Sequence, residues 1–414
     1  MSDLTTAPPV EQAPPGEPQD RGLRAALTGT ADRVRGGDLG VWPVVAGLVV
    51  IWTVMQILNP VFLSSANLVN LAMECVPVGV IALGVVFMLL VGQIDLSVGS
   101  ISGLSAAITA VLFVDHGMPA VVAIVAAAAA GCLIGWFYAQ VFNRLGVPSF
   151  VITLAGLLGF LGLQLWILGP KGSINLPFDS WLVTFAQLDF VPPWLAYALV
   201  AVGAGALYWT GHARAAARRK AGLPATTEQT LVLRSAVLLA GLAVAVWYLS
   251  RDRGVGWMFV LFLGLVLATH YVLSRTKYGK SVYAVGGNVE AARRAGINVK
   301  AVYSSAFVVC TTLAAVGGIL AAARLAASNQ SSGGGDVNLN AIAAAVIGGT
   351  SLFGGRGNAF AALLGIVVIQ SISSGLTLLN LDSSYRFMVT GAVLLLAVAL
   401  DSVARRSRRT HGRA

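Results

Sequence analysis

The feature that most constrains this chain is a succession of long apolar runs that begins near Val41 and continues almost to the last residues. Hydrophobic residues make up 57% of the 414 positions and charged residues only 11%, whereas a soluble domain carries about 25% charged residues. A soluble fold has too little interior to hide this much apolar surface, but a bilayer solvates it. The sequence therefore predicts an all-α, polytopic transmembrane helical bundle.

The apolar runs define twelve candidate spans. They are 41–58, 67–91, 96–114, 119–139, 148–168, 192–210, 231–250, 255–273, 301–323, 339–353, 357–380 and 385–402. A helix needs about 20 residues to cross the hydrocarbon core, so the run at 339–353 is predicted to be a half-helix or a re-entrant segment. We expect 10–12 spans, with one or two broken or re-entrant helices.

The chain divides into a membrane domain and two polar tails. Residues 1–40 contain five prolines and are predicted to form a disordered tail. Residues 41–402 form the membrane domain, and residues 403–414 form a basic tail. With twelve crossings and the N-terminus inside, 22 of the 27 lysines and arginines fall on the inner side. This positive-inside pattern predicts that both termini are cytoplasmic.

Several functional classes are excluded by composition and motifs. The net charge of +10 lies between apolar runs rather than along one face, which argues against a nucleic-acid partner. The three cysteines lack the spacing of a metal site, so we predict neither a metal nor a cofactor. Gly279-Lys280-Ser281 echoes the end of a phosphate-binding loop, but Ser274 stands where its first glycine belongs. No catalytic residue is predicted, and the chain is not expected to be an enzyme.

A polar breakpoint occurs at Gly92–Ser100, which contains the acidic residue Asp95. An acid at mid-bilayer costs roughly 2.5–3.5 kcal/mol on insertion scales. Gly92 and Gly99 flank Asp95 and favour a broken helix beside a substrate pathway, since broken backbone must be satisfied by protein or water. The alternative is a short turn near the inner face, in which Asp95 caps the next helix. The sequence leaves both interpretations open.

A second breakpoint lies at residues 345–357, where five glycines occur within ten residues. Such a density of glycine is incompatible with a continuous helix. The segment is either a loop that lets a half-helix turn back or a tight turn between two helices.

A third polar segment is the loop 274–300. Asn288 is suited to cap a short helix, Glu290 lies in its first turn, and Gly296 ends it. A short exposed helix between two spans is suited to docking a partner. The alternative is an ordinary surface loop whose arginines lie among lipid headgroups.

Four segments resemble the signatures of ABC sugar-importer permeases of the ribose, arabinose and xylose group. They are Gly92–Ser100 (GQIDLSVGS), Pro148–Leu154 (PSFVITL), Tyr283–Ile297 (YAVGGNVEAARRAGI) and Ala341–Gly355 (AIAAAVIGGTSLFGG). They occur in the family's order across most of the membrane domain. Gln93 replaces a common glycine, and a basic loop and apolar run at 212–250 are extra. Both departures resemble the D-xylose permease branch.

The resemblance implies a homodimeric permease in the bacterial cytoplasmic membrane that imports a monosaccharide, most closely D-xylose. A cytoplasmic ATPase subunit would drive it, an extracytoplasmic sugar-binding protein would feed it, and membrane lipid would surround it. The residues expected to couple to the ATPase are Asn288, Glu290, Ala291, Arg293, Arg294 and Gly296. The residues expected along the substrate pathway are Gln93, Asp95, Ser97, Ser100, Thr153, Thr350 and Ser351.

A gradient-driven secondary transporter of a small polar solute is the alternative function. Such a transporter needs ionisable residues within the membrane. Only Glu74 and Asp95 meet that requirement in this sequence.

Overall fold

The computed structural model describes residues 42–382, 384–385, 387–392 and 395. The predicted tails at 1–40 and 403–414 lie outside the described residues, as does most of the last predicted span. Within the described part of the chain, nine helices are long and apolar enough to cross a membrane. The predicted polytopic helical bundle is therefore confirmed.

The described residues contain fourteen α-helices and two short strands, which are bounded as follows. The helices are α1 (Trp42–Leu58), α2 (Ser65–Leu90), α3 (Val98–Ala110), α4 (Ala120–Gln140), α5 (Ser149–Leu168), α6 (Trp181–Gln187), α7 (Pro193–Lys220), α8 (Glu228–Leu249), α9 (Trp257–Arg275), α10 (Lys277–Gly287), α11 (Val289–Arg294), α12 (Val299–Leu325), α13 (Gly335–Ile347) and α14 (Phe360–Leu378). The strands are β1 (Ser173–Asn175) and β2 (Ala327–Asn329). Wider π-type turns extend α3 to Asp115 and α4 to Leu145.

Every predicted span before residue 385 corresponds to one helix, but two boundaries differ. Helix α7 continues through Lys220, so the predicted basic loop is wrong for residues 212–220. Alanine and arginine dominate that stretch and favour helix. Helix α13 ends at Ile347, and its thirteen residues span about 20 Å, which is too short to cross the hydrocarbon core. Helix α6, helix α10 within the predicted loop 274–300, and both strands were not predicted.

Helix α2 forms the centre of the main unit, which comprises the described residues outside 193–247. In an 18-residue apolar stretch of α2, 89% is buried, as expected for a helix that is apolar on all sides. Helix α12 packs along α2, α3 and α4, while α13 and α14 pack against the other side of α2. Gly135 of α4 allows close packing, since a Cβ there would lie 2.6 Å from Val308 Cα.

Residues 193–247 form a separate unit, which consists of α7 and most of α8. These two helices form a hairpin whose polar contacts lie near its turn. Tyr208 donates a hydrogen bond to Glu228, and His212 Nδ1 lies 3.2 Å from the same carboxylate. Leu231 packs over Gly211.

Two short connections tie together one end of the main unit. Strands β1 and β2 pair antiparallel, with Ile174 opposite Ser328. Lys171 Nζ lies 2.7 Å from Asp115 Oδ1. These contacts link the ends of α3, α5 and α12.

The base of the α7–α8 hairpin is closed within the main unit by backbone hydrogen bonds. The Val191 N–H donates to Val255 O at 2.8 Å, and the Trp257 N–H donates to Asp189 O at 3.1 Å. The segments before and after residues 193–247 are therefore held side by side.

Candidate functional site

The turn at residues 91–97, which we name the Asp95 turn, joins α2 to α3 inside the bundle. Asp95 has no exposed surface. Its Oδ1 accepts hydrogen bonds from Ser97 N–H at 2.8 Å and Ser97 Oγ at 2.7 Å. Tyr138 of α4 donates to Ser97 Oγ at 2.9 Å, and the Cys310 thiol of α12 faces the carboxylate. This network satisfies one oxygen of an acid in the apolar interior, while Asp95 Oδ2 is buried without a hydrogen-bond partner among the described residues.

The position of the Asp95 turn favours a broken helix. Cys310 is the twelfth residue of the 27-residue helix α12, about 17 Å from its start. Asn338 of α13 donates to Leu96 O and accepts the Gly99 N–H. Asn338, in the first turn of α13, thereby satisfies backbone groups at the buried start of α3. The position of the turn along α12 therefore favours the broken helix over a turn at the membrane face, and its place beside a substrate pathway stays a prediction.

The structure does not bring all the predicted pathway residues together. Asp95, Ser97 and Ser100 lie together in the Asp95 turn and the first turn of α3. Thr350 and Ser351 lie in the turn after α13, while Thr153 lies in the first turns of α5. All six side chains are buried, and Gln93 is half-buried beside the Tyr303 hydroxyl. A sugar reaches them only after the helices move, so their pathway role stays a prediction.

Three of the signature segments meet in a cluster of glycines, which we name the glycine junction: Gly92, Gly286, Gly354 and Gly355. The Gly355 N–H donates to Leu90 O at 2.8 Å. A Cβ on Gly286 would lie 1.7 Å from the same oxygen. Gly354 has a φ of +87°, and a Cβ there would lie 2.6 Å from Gly286 O. The end of α2, the end of α10 and the turn after α13 are therefore in backbone contact.

The turn after α13 is tight and well bonded. The Ser351 N–H donates to Arg356 O at 2.9 Å. Tyr283 of α10 donates its hydroxyl to Gly357 O at 2.7 Å. Burial raises the pKa of Tyr283, which keeps this hydroxyl protonated as a donor. The glycine-rich segment thus connects α13 to α14 while it is fastened to α10.

The short helix α11 has the cap that the sequence predicted. Asn288 Oδ1 accepts the Ala291 N–H at 2.9 Å, and Gly296 has a φ of +80° just beyond the helix. Glu290 forms ion pairs with Arg293 at 3.0 Å and Arg294 at 3.5 Å. These six predicted coupling residues are all exposed, whereas Ala292 is buried and anchors the helix. Their exposure suits a docking surface, and the coupling role itself stays a prediction.

A cavity of about 360 Å³ adjoins the exposed face of α11. It lies between the end of α4, α11 and the start of α12, and Arg293 and Lys300 supply its charge. Its lining residues are Phe142, Asn143, Val289, Arg293, Ile297, Asn298, Val299, Lys300 and Tyr303. The cavity was not anticipated, because its walls come from three segments.

Sequence reasoning also missed Tyr138 and Asn338, which position the Asp95 turn. Tyr138 lies near the end of a mostly apolar helix that also contains Gln140, and Asn338 lies between Asp336 and Asn340 in the first turns of α13. The sequence offered one indication that these residues matter: a polar side chain within an apolar helix needs a hydrogen-bond partner. The identity of that partner depends on how the helices pack.

Comparisons with known proteins identify the family. Residues 67–398 match the family described as "Branched-chain amino acid transport system / permease component". The xylose transport system permease protein of Escherichia coli (strain K12) is 32% identical over 397 residues, which cover 94% of this chain and 98% of that protein. The ribose import permease protein of Bacillus subtilis (strain 168) is 31% identical over 355 residues, or 86% and 90% of the two chains. No solved structure matches the chain.

The matches run through the Asp95 turn, the glycine junction and the exposed face of α11. They agree with the resemblance that the four signature segments predict. The chain belongs to the branched-chain amino acid transport system / permease component family, as a permease of an ABC-type sugar importer of the ribose and xylose group.

Proposed function

We propose that the chain carries D-xylose across the bacterial cytoplasmic membrane as the permease subunit of its importer. The observation that supports this most directly is the match to the Escherichia coli xylose permease over 94% of this chain and 98% of that protein. The ribose permease of Bacillus subtilis covers 86% of the chain. The α7–α8 hairpin and Gln93, which departs from the common glycine, favour the same branch.

A permease of an ABC importer works with a separate ATPase subunit and a sugar-binding protein. The proposed docking surface for the ATPase consists of the exposed residues of α11 together with Asn288 and Gly296. The ion pairs of Glu290 hold Arg293 and Arg294 along that surface. Through the glycine junction, movement of α10 and α11 reaches the end of α2 without an intervening side chain.

The proposed orientation places both termini in the cytoplasm. Helix α11 and the basic ends of α7 and α9 then lie on the cytoplasmic side, as the positive-inside pattern requires. Two copies of the chain are proposed to form the working permease, with the lipid bilayer around them. The sugar path would lie between the copies, with the Asp95 turn as a moving part beside it.

Uptake of labelled D-xylose tests the function. Cells that lack other pentose carriers are compared with and without the gene for this chain, and then with the gene restored. We expect uptake to disappear on deletion and to return on restoration, with unlabelled xylose as a stronger competitor than ribose, arabinose or glucose. Depletion of ATP should stop uptake, whereas a protonophore at constant ATP should leave it intact.

The controls distinguish an error in the assigned sugar from an error in the class of transporter. If deletion lowers the uptake of ribose or arabinose and leaves xylose unchanged, the xylose assignment is wrong while the sugar permease stands. Uptake that persists without ATP but collapses with the protonophore would contradict the importer and favour the secondary transporter.

A further inference from the structure

An exposed acid interrupts the apolar surface of α2. Glu74 is the only charged residue in this 26-residue helix. It is the tenth residue, about 14 Å from the helix start, and its side chain is exposed in the single chain. Gln370 of α14 donates a hydrogen bond to Glu74 Oε2 at 2.7 Å. The pair lies inside two helices that are each apolar enough to span the membrane.

Further polar groups continue from this pair toward the start of α2. Ser374 of α14 donates to Asn67 Oδ1 at 3.1 Å. Asn70 Oδ1 accepts a hydrogen bond from Arg253 at 2.7 Å. The intervals of three and four residues place Asn67, Asn70 and Glu74 on one side of α2. We name Asn67, Asn70, Glu74, Gln370 and Ser374 the Glu74 stripe.

A guanidinium lies within electrostatic reach of the stripe. Arg324, in the last turn of α12, is half-buried and interacts electrostatically with Glu74. Its Nε is buried and has no hydrogen-bond partner among the described residues. A hydrogen-bond donor without a partner thus lies within electrostatic range of the Glu74 carboxylate, although these two groups form no direct ion pair in the described part of the chain.

Lipid tails cannot supply hydrogen-bond partners to the polar side chains of the Glu74 stripe. An acid at mid-bilayer costs roughly 2.5–3.5 kcal/mol on insertion scales, and Glu74 is not enclosed as Asp95 is. By contrast, α4 exposes apolar residues such as Val121, Val125 and Leu133, as expected of a surface that faces lipid. The Glu74 stripe therefore belongs against water.

We propose that the Glu74 stripe lines the outer half of the sugar path and binds sugar hydroxyls. This inference rests on the proposed function. Glu74 would accept hydrogen bonds from hydroxyl groups, Gln370 would hold its carboxylate in place, and Arg324 would donate. Since the carboxylate and the guanidinium offset each other, the site suits a neutral polyhydroxyl solute rather than an ion. The proposed orientation places the start of α2 outside, where a binding protein releases its sugar.

Uptake by the complete importer gives the first test. Glu74→Gln keeps the size of the side chain but removes its charge. We expect xylose uptake to fall by about tenfold or more, the effect of losing a charge-assisted hydrogen bond, at an unchanged amount of permease in the membrane. The matched control is Asp115→Asn, which makes the same chemical change in an acid outside the Glu74 stripe, at the end of the turn that extends α3. This variant should leave uptake unchanged. Full uptake by Glu74→Gln would overturn the proposal.

Accessibility to water gives a second test that does not require transport. In a chain whose three native cysteines are replaced by serine, Glu74→Cys and Gln370→Cys should react with a membrane-impermeant thiol reagent added outside. Val125→Cys, on the lipid-facing surface of α4, should not react. Saturating xylose with its binding protein should slow the reaction at position 74.

The two tests separate the inference from the proposed function. Failure of the unaltered importer to take up xylose would contradict the function, whereas the labelling would still show whether water reaches the stripe. If neither Glu74→Cys nor Gln370→Cys reacts while both insert normally, the stripe does not line a path. Should Glu74→Cys fail to insert, Gln370→Cys alone decides in the same way.

Discussion

Gly286 lies so close to Leu90 that a Cβ on the glycine would be 1.7 Å from the leucine carbonyl oxygen. Real Cβ atoms do not approach an oxygen this closely, so any larger residue must push α10 away from the end of α2. The same carbonyl accepts the Gly355 N–H. This single oxygen is therefore where the segment before α11, the core helix and the turn after α13 come together.

Replacement of Gly286 by alanine should separate these segments. We expect Gly286→Ala to reduce sugar uptake at least several-fold, because the methyl group displaces α10 from Leu90. Gly287→Ala is the matched control, since a Cβ at Gly287 meets nothing within 4 Å. Uptake and the amount of permease in the membrane are measured for both. Equal uptake by the two variants would contradict a mechanical role for this contact.

The cap of α11 should affect how the permease binds its ATPase subunit. Asn288→Ala removes the acceptor of the Ala291 N–H, which typically costs about 1 kcal/mol of helix stability. We expect weaker binding of the purified ATPase subunit and lower stimulated ATP hydrolysis. Asn288→Asp keeps an acceptor at the same place and should restore both. Unchanged binding by Asn288→Ala would argue against docking at this helix.

Charge reversal on α11 should uncouple transport. Glu290→Lys removes both ion pairs with Arg293 and Arg294 and places three positive charges side by side. Because Glu290 is exposed, the variant should insert and form dimers normally while uptake is lost. Membrane fractionation and crosslinking measure the first two properties. Normal uptake by this variant would count heavily against the coupling role.

Loss of the buried acid should impair transport more than insertion. Asp95→Ala leaves the Ser97 N–H and hydroxyl without their acceptor, at about 1–3 kcal/mol for an unsatisfied buried polar group. Ser102→Ala is the control, since that buried hydroxyl donates to Gly99 O, three residues earlier, and is not among the predicted pathway residues. Uptake divided by membrane content should fall far more for Asp95→Ala. If expression is lost instead, the role of Asp95 is structural.

Close packing against Tyr138 should make Gly156 irreplaceable. A Cβ at Gly156 would lie 1.6 Å from the Tyr138 hydroxyl, whereas Gly159, three residues later, has nothing within 4 Å. We expect Gly156→Ala to lower the thermal unfolding temperature and Gly159→Ala to leave it unchanged. In a Tyr138→Phe background the clashing oxygen is absent, so Gly156→Ala should then have a smaller effect. Additive effects of the two substitutions would contradict this contact.

The helices were predictable because each follows from a local property of the chain. Apolar runs of sufficient length set the spans, and Asn288 and Gly296 set the ends of α11. Where the sequence prediction was wrong, the cause was also local: polar arginines at 212–220 were interpreted as a loop, although alanine and arginine continue a helix.

The candidate site was only partly predictable. The signature segments were found, but their meeting at Gly286 and Leu90 joins positions that are far apart in the chain. Asn338 likewise reaches Leu96 across 242 residues, and no periodicity in one sequence encodes such a pairing. The Glu74 stripe shows the same limit, because Glu74 was noticed as an acid while its partner Gln370 comes from α14.

The closed base of the α7–α8 hairpin has an evolutionary consequence. Residues 193–247 leave and rejoin the main unit between two segments that already hydrogen-bond to each other through Val191 and Val255. A genetic insertion or deletion at this place therefore changes one connection of the main unit. Both hairpin helices are long and apolar enough to cross a membrane, and the addition of two crossings would leave the orientation of every later helix unchanged. The hairpin is therefore a segment that a single insertion or deletion could add to or remove from a permease.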